Sequence, residues 1–533
     1  MSGLAHLNPG AAQAVGHSTD QLWAALGPEG IEQQDRLSRT ALAALDSAVP
    51  ASGESTEAAV LRSALSERLR SDRALHDSGF IPGLVAPLAS PAHEVLMGLE
   101  SVAGDADALV QGLAEVPSAL RDYAARLEAA AADGYVVPAR QSRTLASQLR
   151  RWADPAADDR LGKVVDADTA ARAQSQLQAA RTACLDLAGW LDSVHAARGS
   201  ETDAVGPELY GTTSTAFLGT RVDLDDAYSF GWERLAELTA QAEDLARKLG
   251  CSSLDEAAAM LDADVSGQVE VGPDLLQWVD GRMTAAHALL DATVFDIPAN
   301  SRVAAVLAAP GSGSIYYSPP DPDGSRPGRV VWSTPTGMSQ LPVWREVSTV
   351  HHEGLPGHHL QYAVTMATDA LHPWQRHLCH VHGYAEGWAH YTEGRAQDWG
   401  LLQHPGEQLG VLLAQRWRAA RIVIDLGLHV GYPIPTHNGF TEATTWSPEV
   451  GVEVLTQAAG CDAETAGFEV VRYLGWPGQA LAFGLGARLW EQARASALAT
   501  GRFDERTFHM QALALGPMGM GPLQDALDGL THA

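Results

Sequence analysis

The sequence predicts a mainly α-helical fold with a small β-hairpin or short sheet beside one histidine-bearing helix. Three observations carry that expectation. Apolar residues recur at helical spacing through most of the chain, as in Leu37, Leu42 and Leu45 and again in Leu120, Tyr123 and Leu127. One stretch, between Pro310 and Ser333, changes character to β-prone runs around a Pro/Gly-rich loop. Soon after it comes His351-His352-Glu353-Gly354-Leu355-Pro356-Gly357-His358-His359-Leu360-Gln361. Four histidines and a glutamate set among apolar residues are not the composition of a solvated tail.

With 533 residues, 46% of them hydrophobic and 19% charged, the chain has the make-up of a globular protein of two domains or one large unit. Its 65 acidic against 36 basic residues give a net charge of -29, which repels phosphate backbones and anionic lipid. Neither a nucleic-acid nor a membrane partner is expected. Residues 1–16 hold no basic segment followed by an apolar core, and no run of about 18 apolar residues marks a membrane helix. A cytoplasmic location follows as the expectation. Cys184, Cys251, Cys379 and Cys461 lie far apart without a C-x-x-C pair, which argues against a disulfide framework and a thiolate zinc site. A bound metal must then be held by histidine and carboxylate.

Taken in order, residues 18 to about 200 read as a stack of amphipathic helices broken at 50–53, 79–91 and 199–206. Residues 1–205 form an N-terminal helical region and 206–533 the region that bears the chemistry, the two packed as one continuous unit. The scattered His6, His17, His76, His93 and His195 read as surface or packing residues. From Asp223 to Leu261, Trp232, Leu235, Leu238 and Leu245 are spaced for one buried face. Gly311 to Ser314 then lead into Ile315-Tyr316-Tyr317, and a Pro/Gly-rich loop connects these to Arg329-Val330-Val331-Trp332-Ser333. This predicts a hairpin or a pair of short strands. An edge strand here could hold an extended peptide by backbone pairing; a structural flap is the equal alternative. Helical character resumes from Leu341 and runs into the histidines.

In a His-Glu-x-x-His zinc helix, two imidazoles one turn apart bind the metal and the glutamate activates water. Here the second histidine arrives two residues late. On an unbroken helix of about 100° per residue, His359 would share a face with His352 while His358 would point roughly 120° away. Pro356, with no N–H, and the permissive Gly357 predict a bulge or kink instead. A bulge that absorbs two residues delivers His358, so His352 and His358 are the expected ligands and His359 the alternative. Glu353 follows His352 in either case and serves as general base. Downstream, Glu386, His390 and Glu393 fall at i, i+4 and i+7 on one helix face, between Tyr384, Trp388 and Tyr391. Glu386 is the expected third ligand. Glu393 is placed as acceptor for a ligand imidazole, or as the alternative ligand.

The run His352-Glu353-x-x-Pro356-Gly357-His358-His359-x-Gln361, followed by Glu386-Gly387-Trp388-Ala389-x-Tyr391-x-Glu393, resembles the DUF885 family of bacterial proteins. Trp344-Arg345-Glu346, Arg421-x4-Asp425-x-Gly427-x-His429, Glu469-x2-Arg472-Tyr473-x3-Pro477-Gly478-Gln479 and Leu513-x2-Gly516-Pro517 extend the likeness across roughly 223–530. The resemblance implies a zinc-dependent metallohydrolase with a largely helical, gluzincin-like catalytic region. One departure is Tyr432-Pro433-Ile434-Pro435-Thr436-His437-Asn438-Gly439-Phe440, a loop unlike the family's usual continuation.

These readings combine into a metallopeptidase-like hydrolase using Zn2+ held by His352, His358 and Glu386 to cleave a peptide or other amide bond. Tyr473 is the candidate oxyanion donor, His429 a second donor, and Arg472 the candidate clamp for a substrate carboxylate. Each has a structural alternative: Arg472 can pair with Glu469 three residues earlier, and Tyr473 and His429 can simply pack. Two other functions remain open at this level. One is a tailoring enzyme acting on a small amide or amino-acid conjugate; the other is a non-catalytic helical scaffold with a decayed site.

Overall fold

Side-chain caps open the long helices. Ser55 accepts from the amide of Ala58 ahead of Thr56–Asp77, Asp105 from Asp107 and Ala108 ahead of Ala106–Ala132, and Asp223 from Asp225 and Asp226 ahead of Leu224–Lys248. The computed structural model describes residues 1–48, 54–299, 301–308, 315–321 and 326–532. The break expected at 50–53, the Gly-Ser lead-in at 311–314 and Ser325 lie outside the described residues.

The chain is mainly helical, as its periodicity predicts. In the N-terminal half, Ala106–Ala132, Ala139–Ala153 and Ala170–Trp190 close around a core that includes Leu120, Tyr123, Leu127, Leu149 and Leu187. Leu42 is buried, whereas Leu37 and Leu45 are half-buried. Eight helices of the C-terminal half build the site: α1 (Gly206–Leu218), α2 (Leu224–Lys248), α3 (Val343–Glu353), α4 (His358–Ala367), α5 (His382–Arg395), α6 (Pro405–Val430), α7 (Ala463–Gly475) and α8 (Leu481–Ala499). Leu235, Leu238 and Leu245 of α2 share one buried core with Leu409, Ile422 and Val423 of α6. Helix α5 crosses α8 at a glycine pair so close that a Cβ on Gly387 would stand 2.5 Å from Gly486 Cα. That contact lets Tyr384, Trp388 and Tyr391 of α5 pack with Trp490 of α8. No described helix is long and apolar enough to cross a membrane.

Among the described residues, five short strands accompany the helices: β1 (Gln268–Glu270), β2 (Val303–Leu307), β3 (Tyr316–Ser318), β4 (Gly328–Trp332) and β5 (Gln340–Pro342). The expected hairpin forms between β3 and β4, antiparallel, with Tyr317 opposite Val330. Strand β2 adds to the other side of β4 in parallel, so β3 is an outer strand of the order β2-β4-β3. The Ala-rich sequence of β2 carries little β signal, which is why the sequence did not reveal it.

Two expectations are corrected. Leu341 is not helical but belongs to β5, paired with Val269 of β1, because the following Pro342 pushes it into extended backbone and α3 starts only at Val343. Nor is there a bulge within one continuous helix. Helix α3 ends at Glu353 and α4 starts at His358, with residues 354–357 between them in non-helical turns. Gly357 turns back over the end of α3, its amide donating to the carbonyl of His351 at 2.9 Å. A Cβ there would lie 1.9 Å from the carbonyl oxygen of His352, so only glycine fits.

Candidate metal centre

The last turn of α3 supplies His352 and Glu353, the first residue of α4 supplies His358, and the second turn of α5 supplies Glu386. His352 Nε2 lies 3.2 Å and His358 Nε2 3.6 Å from the same oxygen, Oε2 of Glu386. One ligand atom from each of His352, His358 and Glu386 falls within 4.8 Å of the others, the only such cluster among the described residues. The interruption between α3 and α4 makes this possible. Trp388 of α5 fixes it by donating its indole N–H to the carbonyl of Pro356 at 3.0 Å.

The neighbouring histidines turn elsewhere. His351 points its Nδ1 at the carbonyl of Leu355, 2.8 Å away, and burial holds its pKa down to about 4. His359 is one residue beyond His358, hence about 100° round the helix. Its Nδ1 meets the hydroxyl of Tyr317 at 3.0 Å, and it is not part of the cluster.

Behind His352 stands Glu393, with no exposed surface. It accepts from His352 Nδ1 and from the Ser348 hydroxyl at 2.8 Å. A carboxylate on Nδ1–H fixes the tautomer and turns the Nε2 lone pair toward Glu386 and His358. The ring of Phe483 stacks on His352, with centroids 6.0 Å apart. Burial pulls the His352 imidazole down, but Glu393 and Glu386 on either side push it up to about 10. The same imidazole, with His358 and Arg418, holds Glu386 and Glu393 well below the carboxylate range against the opposing effect of burial. Such a cluster favours a cation between its donors.

Glu353 is buried on the same turn. Burial raises its pKa, while His352, His358 and the backbone N–H of Tyr317 on β3 pull it back. The outer strand of the sheet therefore directs its central amide at the expected base.

The remaining candidates form a separate polar network. Arg472 pairs with Glu469 at 2.9 Å and reaches Gln479 at 3.2 Å. Tyr473 is buried and donates its hydroxyl to Glu469 at 2.9 Å, while Arg421 donates to that hydroxyl at 3.0 Å. His429 is fully buried against the carbonyl of Tyr473, 3.1 Å away, and burial lowers its pKa to about 4. The Tyr432–Phe440 loop faces α2, with Tyr432 stacked on Tyr228, whose hydroxyl donates to Pro433.

Three features near the cluster were not put forward by the sequence. Tyr317 is one. A second is the pair His380 and His382, ring centroids 4.9 Å apart, both within the field of Glu386. Their His-x-His spacing was the available signal. The third is Arg418 on α6, whose guanidinium lies 5.4 Å from the Phe483 ring and 4.0 Å from Glu393. A helical arginine carries no sequence mark of burial.

The family described as "Bacterial protein of unknown function (DUF885)" matches residues 9–527. Among solved structures, the "putative lipoprotein from Colwellia psychrerythraea" superposes with a TM-score of 0.82 at 19% identity, covering 99% of this chain and 97% of that one. A "putative lipoprotein of unknown function from Shewanella oneidensis" gives 0.71 at 15% identity, covering 98% and 97%. At such identities the likeness is one of fold. No curated protein matches the sequence. The chain belongs to the DUF885 family.

Proposed function

We propose that this DUF885 chain is a zinc-dependent metallohydrolase that cleaves a peptide or other amide bond, with His352, His358 and Glu386 as ligands and Glu353 as general base. One observation carries the reading: ligand atoms of those three residues converge within 4.8 Å, and Glu353 is buried on the same helical turn as His352. Two imidazoles and one carboxylate are a donor set that suits zinc and leaves a position for water. When bound, the zinc supplies an acidified water and a Lewis acid for the scissile carbonyl.

The protein's own groups do the rest. Glu353 would accept a proton on its carboxylate and pass it to the leaving nitrogen, and its burial-raised pKa brings it nearer to the operating pH. Tyr317 N–H fixes the carboxylate that moves the proton. Glu393 keeps His352 in the tautomer whose Nε2 faces the cluster. Because His352 holds a proton between two carboxylates, metal loading releases one, and affinity for zinc rises with pH.

Two measurements test the reading. Protein expressed with ample zinc is expected to hold about one equivalent per chain. The Glu353→Gln variant is expected to keep that metal while amide hydrolysis falls by about 10²–10⁴-fold. Protein that takes up no zinc, or a Glu353→Gln variant as active as the parent, overturns it.

A further inference from the structure

Close to the cluster lies a cation without a settled partner. Arg418 has only 16% of its side chain exposed, and its Nε is buried without a hydrogen-bond partner among the described residues. The one carboxylate within salt-bridge range is Glu393, at 4.0 Å, too far for a hydrogen bond. That carboxylate already accepts from His352 and Ser348. The two other guanidinium groups nearby each hold a carboxylate at hydrogen-bond distance, although Nη1 of Arg421 and Nε of Arg472 are likewise buried without a partner among the described residues. Arg421 meets Glu469 at 2.8 Å and the Tyr473 hydroxyl at 3.0 Å, and Arg472 meets Glu469 at 2.9 Å and Gln479 at 3.2 Å. Glu469 is thus shared by two arginines and leaves nothing for Arg418.

The position of Arg418 is specific. Its guanidinium lies over the same Phe483 ring that stacks on His352, 5.4 Å from the centroid, with Arg421 over that ring at 4.4 Å. The Phe483 ring is therefore shared by this guanidinium and a proposed metal ligand. Two guanidinium groups on one ring repel each other, and an anion beside Arg418 would relieve that repulsion.

We propose that Arg418 receives a carboxylate of the substrate next to the scissile bond, so that the substrate class is a peptide or acylated amino acid ending in a free carboxylate. This rests on the hydrolase reading above and deepens it. A guanidinium fork and a carboxylate make two parallel charge-assisted hydrogen bonds, and a neutral terminal amide cannot replace them. A preference for acid over amide of about 10–100-fold is the expected consequence.

The test uses zinc-loaded full-length protein and a library of N-acylated dipeptides, each as free acid and as C-terminal amide. The wild type is expected to favour acids by at least about tenfold in kcat/KM. In Arg418→Met, assayed at saturating zinc, the preference should vanish through a rise in KM for acids that amide substrates do not share. A structural role through Glu393 would instead lower zinc content and impair acids and amides alike, and would overturn the assignment. So would a wild type without preference, or a variant that keeps it. Should Arg418→Met fail to fold, Arg418→Lys retains the charge without the fork and is expected to lose several-fold of the preference; an unchanged preference there is again fatal. A binding arm separates the two readings. Calorimetry of hippurate against hippuramide, on wild type and variants after EDTA treatment, should show the same Arg418-dependent acid preference even if no amide is hydrolysed, and equal binding of the two probes overturns the clamp.

Discussion

Glu393 decides which nitrogen of His352 faces the cluster. By accepting from Nδ1, it leaves Nε2 free to face Glu386 and His358, and Ser348 holds the carboxylate in turn. The Glu393→Gln variant keeps the shape and loses the charge. Its zinc affinity is expected to fall by about 10–100-fold in competition against a chromophoric chelator, and an unchanged affinity would remove Glu393 from this role. At this scale the sequence is most legible where chemistry writes a pattern. His352, His358 and Glu386 stand out by residue type and spacing, and the fold brings them together. Arg418 and Tyr317 do not stand out, because their place depends on burial and on neighbours from other elements. Arg472 and Tyr473 show the converse. Their residue types suggest substrate contact, whereas in the folded chain their polar groups bind Glu469.

At the scale of elements, the short link between α3 and α4 sets the cluster. Gly357 packs against the carbonyl of His352, and Trp388 of α5 donates to Pro356, so the link joins the three helices that carry His352, His358 and Glu386. Gly357→Ala would place a methyl 1.9 Å from a backbone oxygen that cannot move without displacing His352. The expected result is a loss of about 1–3 kcal/mol in thermal or urea unfolding, with zinc binding weakened in parallel. A variant of parental stability and zinc content would show that the link tolerates a second path. Helix periodicity and the Pro/Gly loop were readable as elements, since both are local signals. The complete interruption was not, because a proline and two glycines are compatible with a bulge, and only the tertiary anchor at Trp388 selects the break.

Across the whole molecule, the buried histidines tie stability to pH. His93, His195, His351, His359, His429 and His509 are each held down to about 4, by burial first. The unfolded chain protonates its histidines from about 6.5 downward, whereas these six resist until about 4. Their contribution to stability is therefore complete above pH 6.5 and is lost as pH falls toward 4, at up to about 1.4 kcal/mol per pH unit for each group. The melting temperature should drop steadily between pH 6.5 and 4.5, and a flat profile there would contradict the burial of these rings. A last consequence concerns how copies of the molecule behave toward one another. An outer strand with open amides invites strand pairing between molecules. In β3 the backbone N–H of Tyr317 acts on the buried Glu353 carboxylate and helps to hold its pKa down. Glu353→Ala should therefore scatter more light than the parent on concentration, while Glu353→Gln, which keeps an acceptor oxygen, should not. The residue proposed as the base would then also guard the solution against its own crowding.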